Sequence, residues 1–279
     1  MSTLFTEAPA LKADKSADFV GSHYYSYEPA KGWFPLYEPG KNFTLREARK
    51  VHKEGKVVVP SVTTYFKVLH KQNLVDWLIG QHLDVALRTP VAQFNNTEEW
   101  KDHVCNVASN SSKGAADLGT KIHANIEAAV GGKDYDADMA QYVEPVLAKR
   151  AELGLQSVAQ EKSVGSLKYG YGGKVDDLCT GLTVVDYKSR KGRKGKVASY
   201  STDELQGAAY GFCEYGNEFF RNGKFYVFGI STTEPGVITV HEFAGKDLVP
   251  AFEAFLGLMQ VWRFENNFDP RIAGTGVKQ

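Results

Sequence analysis

The stretch Gly-Lys-Val-Asp-Asp-Leu-Cys-Thr-Gly-Leu-Thr-Val-Val-Asp-Tyr-Lys, residues 173–188, decides how the rest of the chain is read. Strand-forming apolar residues stand on both sides of Thr180-Gly181, which predicts two short strands joined by a turn. Side chains alternate between the faces of a strand, so Asp186 and Lys188 share a face with Leu182 and Val184, while Thr183, Val185 and Tyr187 take the other. One apolar face therefore ends in a carboxylate and an ammonium. Pairing of the two strands would bring Asp176 beside Asp186, gathering two carboxylates and one amine at a point suited to a hard divalent cation.

Upstream, residues 156–166 read as another strand, fed by a helix over 138–153. Before it, Ala115, Leu118, Ile122, Ile126 and Ala129 recur at three- and four-residue spacing and define a buried helical stripe that ends at Gly131-Gly132. His123 and Glu127 lie four apart on one side of that helix, with Glu127 read as a surface charge. Asn110-Ser111-Ser112 is expected to separate this helix from a shorter one over 98–109. Ser61 reads as the cap of a helix running to about residue 88, and residues 45–53 as a short basic helix. His23, Tyr24, Tyr25, Tyr27, Trp33, Phe34 and Tyr37 form an aromatic cluster with two readings: a segment glued to the core by its rings, or stacking faces for unpaired bases. The first 20 residues read as a loose arm.

Downstream, Lys188, Arg190, Lys191, Arg193, Lys194 and Lys196 place six cations within nine residues, interleaved with Gly192 and Gly195. The glycines make this a loop, and its charges either face solvent or grip phosphates. A helix over 202–217 turns Gln206 and Tyr210 the same way. Strands over 224–232 and 237–243 flank a Glu234-Pro235-Gly236 turn. Leu248, Phe252, Phe255, Met259 and Trp262 mark a closing helix, and the tail after Asp269 reads as frayed.

The 279 residues, 43% of them apolar, suffice for one α/β domain: an N-terminal arm and helical elaboration (1–110), a core (111–268) and a tail (269–279). Thirty-three basic and thirty-three acidic residues cancel, so any nucleic-acid binding must come from local patches and not from a global field. Cys105, Cys179 and Cys213 are odd in number and widely spaced, which argues against a disulfide framework and a cysteine-ligated zinc and for a reducing cytoplasm. Cys179 and Cys213 read as small buried hydrophobes. The N-terminal residues carry neither a signal-peptide pattern nor a membrane span. Phosphate-loop, nucleophile-elbow and His-Glu-x-x-His motifs are absent, which excludes ATP-driven motors, serine hydrolases and zincin proteases.

An acidic residue two before a lysine is a weak signal alone, since Glu54/Lys56 and Glu99/Lys101 match it too. Order makes it specific. Leu-Gly-Thr-Lys-Ile-His (118–123), Gly-Lys-Val-Asp (173–176), Asp-Tyr-Lys (186–188) and Gln-Gly-Ala-Ala-Tyr (206–210) together resemble the RecB-type branch of the PD-(D/E)XK nuclease superfamily. Pro60-Ser61-Val62-Thr63-Thr64 and the helix after it further resemble the phage-encoded and mitochondrial genome-maintenance exonucleases of that branch.

The resemblance implies an α/β core, a central mixed sheet flanked by helices, with a helical N-terminal elaboration. It implies catalysis by Asp176, Asp186 and Lys188, and magnesium or manganese held by His123, Asp176, Asp186 and the Tyr187 main-chain carbonyl. Gln206 and Tyr210 would hold the DNA strand or brace the site, with Arg190, Lys191, Arg193, Lys194 and Lys196 contacting DNA; Glu161 is a further candidate for the metal. Relatives with an iron–sulfur cluster use four cysteines, and this chain has three, so none is expected. The implied activity is that of a metal-dependent DNA exonuclease on single-stranded or frayed ends, with a helicase or single-strand-binding protein as companion and, for a phage protein, the host cytoplasm as its place. The rivals are an endonuclease of the same fold and a non-catalytic nucleic-acid-binding scaffold.

Overall fold

The computed structural model describes residues 23–36, 43–69 and 72–271. From the N-terminus the chain runs through β1 (Tyr24–Glu28), β2 (Gly32–Pro35), α1 (Leu45–Lys53), β3 (Val59–Pro60), α2 (Val62–Tyr65), α3 (Gln72–Arg88), α4 (Thr97–Val130) and α5 (Ala140–Glu152). It continues through β4 (Ser157–Ser166), β5 (Tyr171–Cys179), β6 (Thr183–Arg190), α6 (Ser201–Tyr215), α7 (Asn217–Asn222), β7 (Lys224–Ser231), β8 (Ile238–Ala244) and α8 (Val249–Asn266).

The quoted stretch is β5, a turn and β6, at the centre of a five-stranded sheet ordered β4-β5-β6-β7-β8. All neighbours are antiparallel except β6 and β7, which run parallel because α6 and α7 form the crossover between them. Alternation along β6 and β7 builds two cores. Val184, Phe225 and Val227 pack with Leu205, Ala208 and Phe255 from α6 and α8. Val185, Tyr187, Tyr226 and Phe228 pack with Ile122, Ile126 and Val143 from α4 and α5. The result is an α/β fold, as the periodicities predict, and its mixed sheet lies between two helical layers, as the resemblance implies. Leu182 does not share the face of Asp186: its φ of 56° makes it the last residue of the turn.

Three expectations differ from what is observed. Asn110-Ser111-Ser112 does not break the chain, because α4 continues unbroken from Thr97 to Val130 and the division drawn at residue 110 falls inside it. Asn and Ser cost a helix interior only about 0.5 kcal/mol each, which an uninterrupted hydrogen-bond ladder outweighs. Ser61 caps as expected, accepting from Thr64 N–H at 3.0 Å, yet its helix ends at Tyr65, and α3 starts afresh at Gln72. The N-terminal part is also not wholly helical, since β1, β2 and β3 form a small antiparallel sheet in the order β2-β1-β3.

The aromatic cluster supplies much of that small sheet; Tyr24 and Tyr25 are buried and take the core-packing reading, Tyr27, Trp33 and Phe34 are partly buried, and His23 is exposed. Tyr37, the N-terminal arm and the end of the tail lie outside the described residues. No helix among the described residues is long and apolar enough to cross a membrane.

Helix α6 lies close enough to the sheet that a Cβ on Gly207 would overlap the ring of Phe225 on β7. Gly207→Ala should therefore destabilise the fold by about 1–3 kcal/mol despite alanine's higher helix propensity, as chemical denaturation will show.

Candidate functional site

Strands β5 and β6 pair only from Asp177↔Val185 to Cys179↔Thr183. Beyond Val185 they part, while β6 keeps its parallel ladder with β7 as far as Arg190↔Ser231. In the gap the main chain of β6 finds a side chain in place of a strand: Tyr187 N–H donates to Asp176 Oδ2 at 2.8 Å. The N–H and C=O of one strand residue turn toward the same neighbour, so the Tyr187 carbonyl opens into this gap as well.

Alternation breaks on β5 at the same level. Val175 and Leu178 join the core on the α6 side, whereas Asp176 reaches His123 on α4 and Asp177 reaches Arg150 on α5. Across from Asp176, Glu161 of β4 has a φ of 50°, a left-handed conformation that costs a non-glycine residue about 1–3 kcal/mol. Its neighbours stay in register, with Gln160↔Asp177 and Lys162↔Val175, so the strain is confined to one residue at the gap. Glu161 Oε2 pairs with Lys174, and Oε1 lies 3.9 Å from His123 Nδ1.

Asp186 is 1% exposed. Its Oδ1 accepts from Gln206 Nε2 at 3.0 Å, and its Oδ2 lies 2.6 Å from Lys188 Nζ, which also donates to Gln206 Oε1 at 3.2 Å. Asp176 is held from α4, where His123 Nε2 is 3.0 Å from its Oδ2. The structure thus forms two sets within electrostatic reach of each other, His123, Glu161 and Asp176 beside α4 and Asp186, Lys188 and Gln206 beside α6, each carboxylate with its own cationic or imidazole partner. The ligand atoms of His123, Asp176 and Asp186 do not gather closely enough to share one ion. Beside them is an open groove of about 570 Å³ bounded by Gly119, Thr120, His123, Glu127 and Ser189.

Electrostatics divides the two aspartates. Burial pushes the Asp186 carboxyl up to about 6, the Lys188 charge opposes this, and the Asp176 charge adds to it. Burial also acts to raise Asp176, but the hydrogen bond and charge of His123 prevail and hold it below its ordinary value. The same contact keeps the His123 pKa raised against the effect of burial. Burial opposes the charge on Lys188, yet Asp186 and Asp176 keep its pKa raised, so it faces the groove as an ammonium and not as a free base.

The buried carboxylate oxygen Glu161 Oε1 accepts no hydrogen bond, and Asp186 Oδ2 is met by the Lys188 ammonium alone. A buried acceptor left without a donor costs about 1–3 kcal/mol, and a cation with oxygen ligands would relieve it. Glu127, read from sequence as a surface charge, belongs to the same wall: ligand atoms of His123, Glu127 and Glu161 lie within 4.8 Å of one another. The i, i+4 spacing of His123 and Glu127 was its signal. Lys174, two residues before Asp176, had none beyond alternation.

Other candidates turn away from the groove or out to solvent. Tyr210 is buried, with its ring laid against Gly173, so it braces the sheet and offers no face to a DNA strand. Gln206 is likewise enclosed and acts on Asp186 and Lys188. Arg190 leaves the set of free cations: it is the last residue of β6, donates through both terminal nitrogens to Asp203 on α6 at 2.7 and 2.6 Å, and stacks on Tyr200 at 4.3 Å. Lys191, Arg193, Lys194 and Lys196 are exposed, with Lys191 lying 5.9 Å from the Trp77 ring of α3. A tight turn at Lys194-Gly195, closed by Arg193 N–H to Lys196 O at 2.9 Å, displays them. The three cysteines are free.

No family model matches this sequence, and no curated protein is significantly similar to it. Function must be read from the site itself.

A carboxyl that binds its proton more tightly in the folded chain favours folding at acid pH. For Asp186 this contribution is fully present below its ordinary 3.8 and is lost as pH rises through about 6. Lys188→Met removes the charge that opposes the rise. Carboxyl ¹³C NMR of the metal-free variant should show Asp186 titrating above its midpoint in the parent; an unmoved or lowered midpoint would contradict the pairing.

Proposed function

We propose that this chain is a metal-dependent deoxyribonuclease hydrolysing phosphodiester bonds at DNA ends, a nuclease of the PD-(D/E)XK type. The observation that carries the reading is the pair of buried aspartates near the parted strands, each held by a partner, His123 or Lys188, that itself lines an open groove. Taking carboxylates out of water costs several kcal/mol each unless a cation meets them, and here His123 and Lys188 are committed to that task, an arrangement that catalysis would put to use.

Asp176, Asp186 and the Tyr187 carbonyl would hold magnesium or manganese, with Glu161 and His123 at its border; the unsatisfied oxygen of Glu161 and the Asp186 oxygen met by Lys188 alone fit oxygen-preferring cations. When bound, such a cation lowers the pKa of a coordinated water and offsets charge on the phosphate. Lys188 sets a positive charge where the phosphate gains negative charge, and Gln206 keeps that ammonium and Asp186 in fixed relation. His123 holds Asp176 ionised and so keeps it a ligand and not an acid. Lys191, Arg193, Lys194 and Lys196 extend a cationic rim from the end of β6 for the phosphates of a DNA strand.

Preference for ends rests on the resemblance of the sequence motifs to phage exonucleases. With magnesium, the purified protein should degrade linear DNA and leave covalently closed circles intact; equal loss of circles would identify an endonuclease. Asp186→Ala and Lys188→Ala should each lower kcat about 10²–10³-fold or more while the fold persists by circular dichroism. Cleavage at parental rates by either variant would remove the site from the mechanism.

A further inference from the structure

Behind the sheet, on the side away from α6, a second charged cluster lies in the α4/α5 core. Arg150 of α5 and Asp177 of β5 form an ion pair at 2.5 Å, with side chains 6% and 0% exposed. The same Arg150 nitrogen donates to the Tyr187 hydroxyl at 2.6 Å. Ser157 Oγ donates to the other oxygen of Asp177 at 2.5 Å, and Cys179 Sγ lies within 3.4 Å of the Arg150-facing oxygen. Every charge in the cluster is met, and neither Arg150 nor Asp177 lines the groove, which only Tyr187 reaches. Replacing such a buried pair with apolar residues is often neutral or stabilising, so stability alone does not account for its presence in a core of Ile, Val and Phe.

Its connection to the site is Tyr187. The ring of this residue packs edge-on against His123 at 6.0 Å and at a tilt against Phe228 at 5.7 Å. Its N–H holds Asp176, and its carbonyl opens into the same gap. Strand β5 gives β6 no ladder partner at this level, so the main chain of Tyr187 lacks one of the two neighbours that would fix a central strand. Arg150 supplies the missing restraint from below, through the hydroxyl.

We propose that the Arg150–Asp177 pair is a positioning device acting through Tyr187, fixing the main-chain amide and carbonyl and the ring that set Asp176 and His123 at the gap. Arg150, Asp177 and the Tyr187 hydroxyl are positioning groups that contact no reacting atom. The inference rests on the nuclease reading only for the nature of the ion; the coupling itself is a property of the metal-free chain. It resembles the way outer hydrogen-bond partners orient metal ligands elsewhere, where their loss costs about 10–100-fold in metal affinity.

Tyr187→Phe is the direct probe, since it keeps the ring, the amide and the carbonyl and removes only the link to Arg150. The metal-free readout is hydrogen exchange of the amide at position 187, which should quicken about tenfold or more as its bond to Asp176 loosens. Calorimetric titration with Mn²⁺ alone should show affinity about tenfold weaker than in the parent. The double variant Arg150→Met/Asp177→Leu should show the same two changes with an unaltered or higher Tm, where a merely structural pair would lower Tm and leave exchange and affinity in the folded protein unchanged. Parental exchange at residue 187 in both variants would overturn the coupling. A parent that binds no Mn²⁺ would instead overturn the metal reading, leaving amide exchange to judge the coupling by itself.

Discussion

The separation of β5 from β6 after Asp177↔Val185 is the constraint on which the rest of this structure depends. A central sheet that lets two of its strands part exposes main-chain polar groups where no water-filled surface should be, and these must be met by something else. Here they are met by an aspartate. Once Asp176 bonds to the amide of Tyr187, its charge is fixed inside the protein a short way from Asp186, and every nearby element is bent toward coping with that pair. Helix α4 brings an imidazole, α6 brings a carboxamide, β6 brings an ammonium two residues on, and β4 strains one residue to add a third carboxylate.

How much of this is legible in the sequence differs from part to part. Elements with strong periodicity are read correctly: the strands around Thr180-Gly181, the stripe through Ile122 and Ile126, and the closing helix through Phe255 and Met259 all take the form that spacing dictates. Local signals that compete with a long-range requirement are not. Asn110-Ser111-Ser112 has cap chemistry, and nothing in those three residues records that the helix on either side is worth more whole than divided. The same limit hides Glu161, because no residue pattern announces a left-handed backbone in the middle of a strand.

The candidate site divides along similar lines. Asp176, Asp186, Lys188 and His123 were readable as candidates from type and order, and the fold pairs them as His123 with Asp176 and Lys188 with Asp186. What sequence order could not give is direction: Arg190 stands second in the cationic run yet turns inward to Asp203, and Tyr210 shares a helix face with Gln206 yet lies under it against Gly173. Arg150 and Asp177 gave no sign at all, since an arginine near the end of a helix and the second of two aspartates look like ordinary surface charges until packing encloses them.

Helix α4 runs 34 residues without interruption, a rod of about 50 Å at ordinary helical rise. Its C-terminal third is clamped against the sheet through Ile122 and Ile126, and its N-terminal half stands beside α3, whose side chains touch the cationic loop through Trp77. A stiff rod with one end fixed is a lever. One continuous hydrogen-bonded helix therefore ties the neighbourhood of the cationic loop to the imidazole that governs Asp176, which sits on its anchored end.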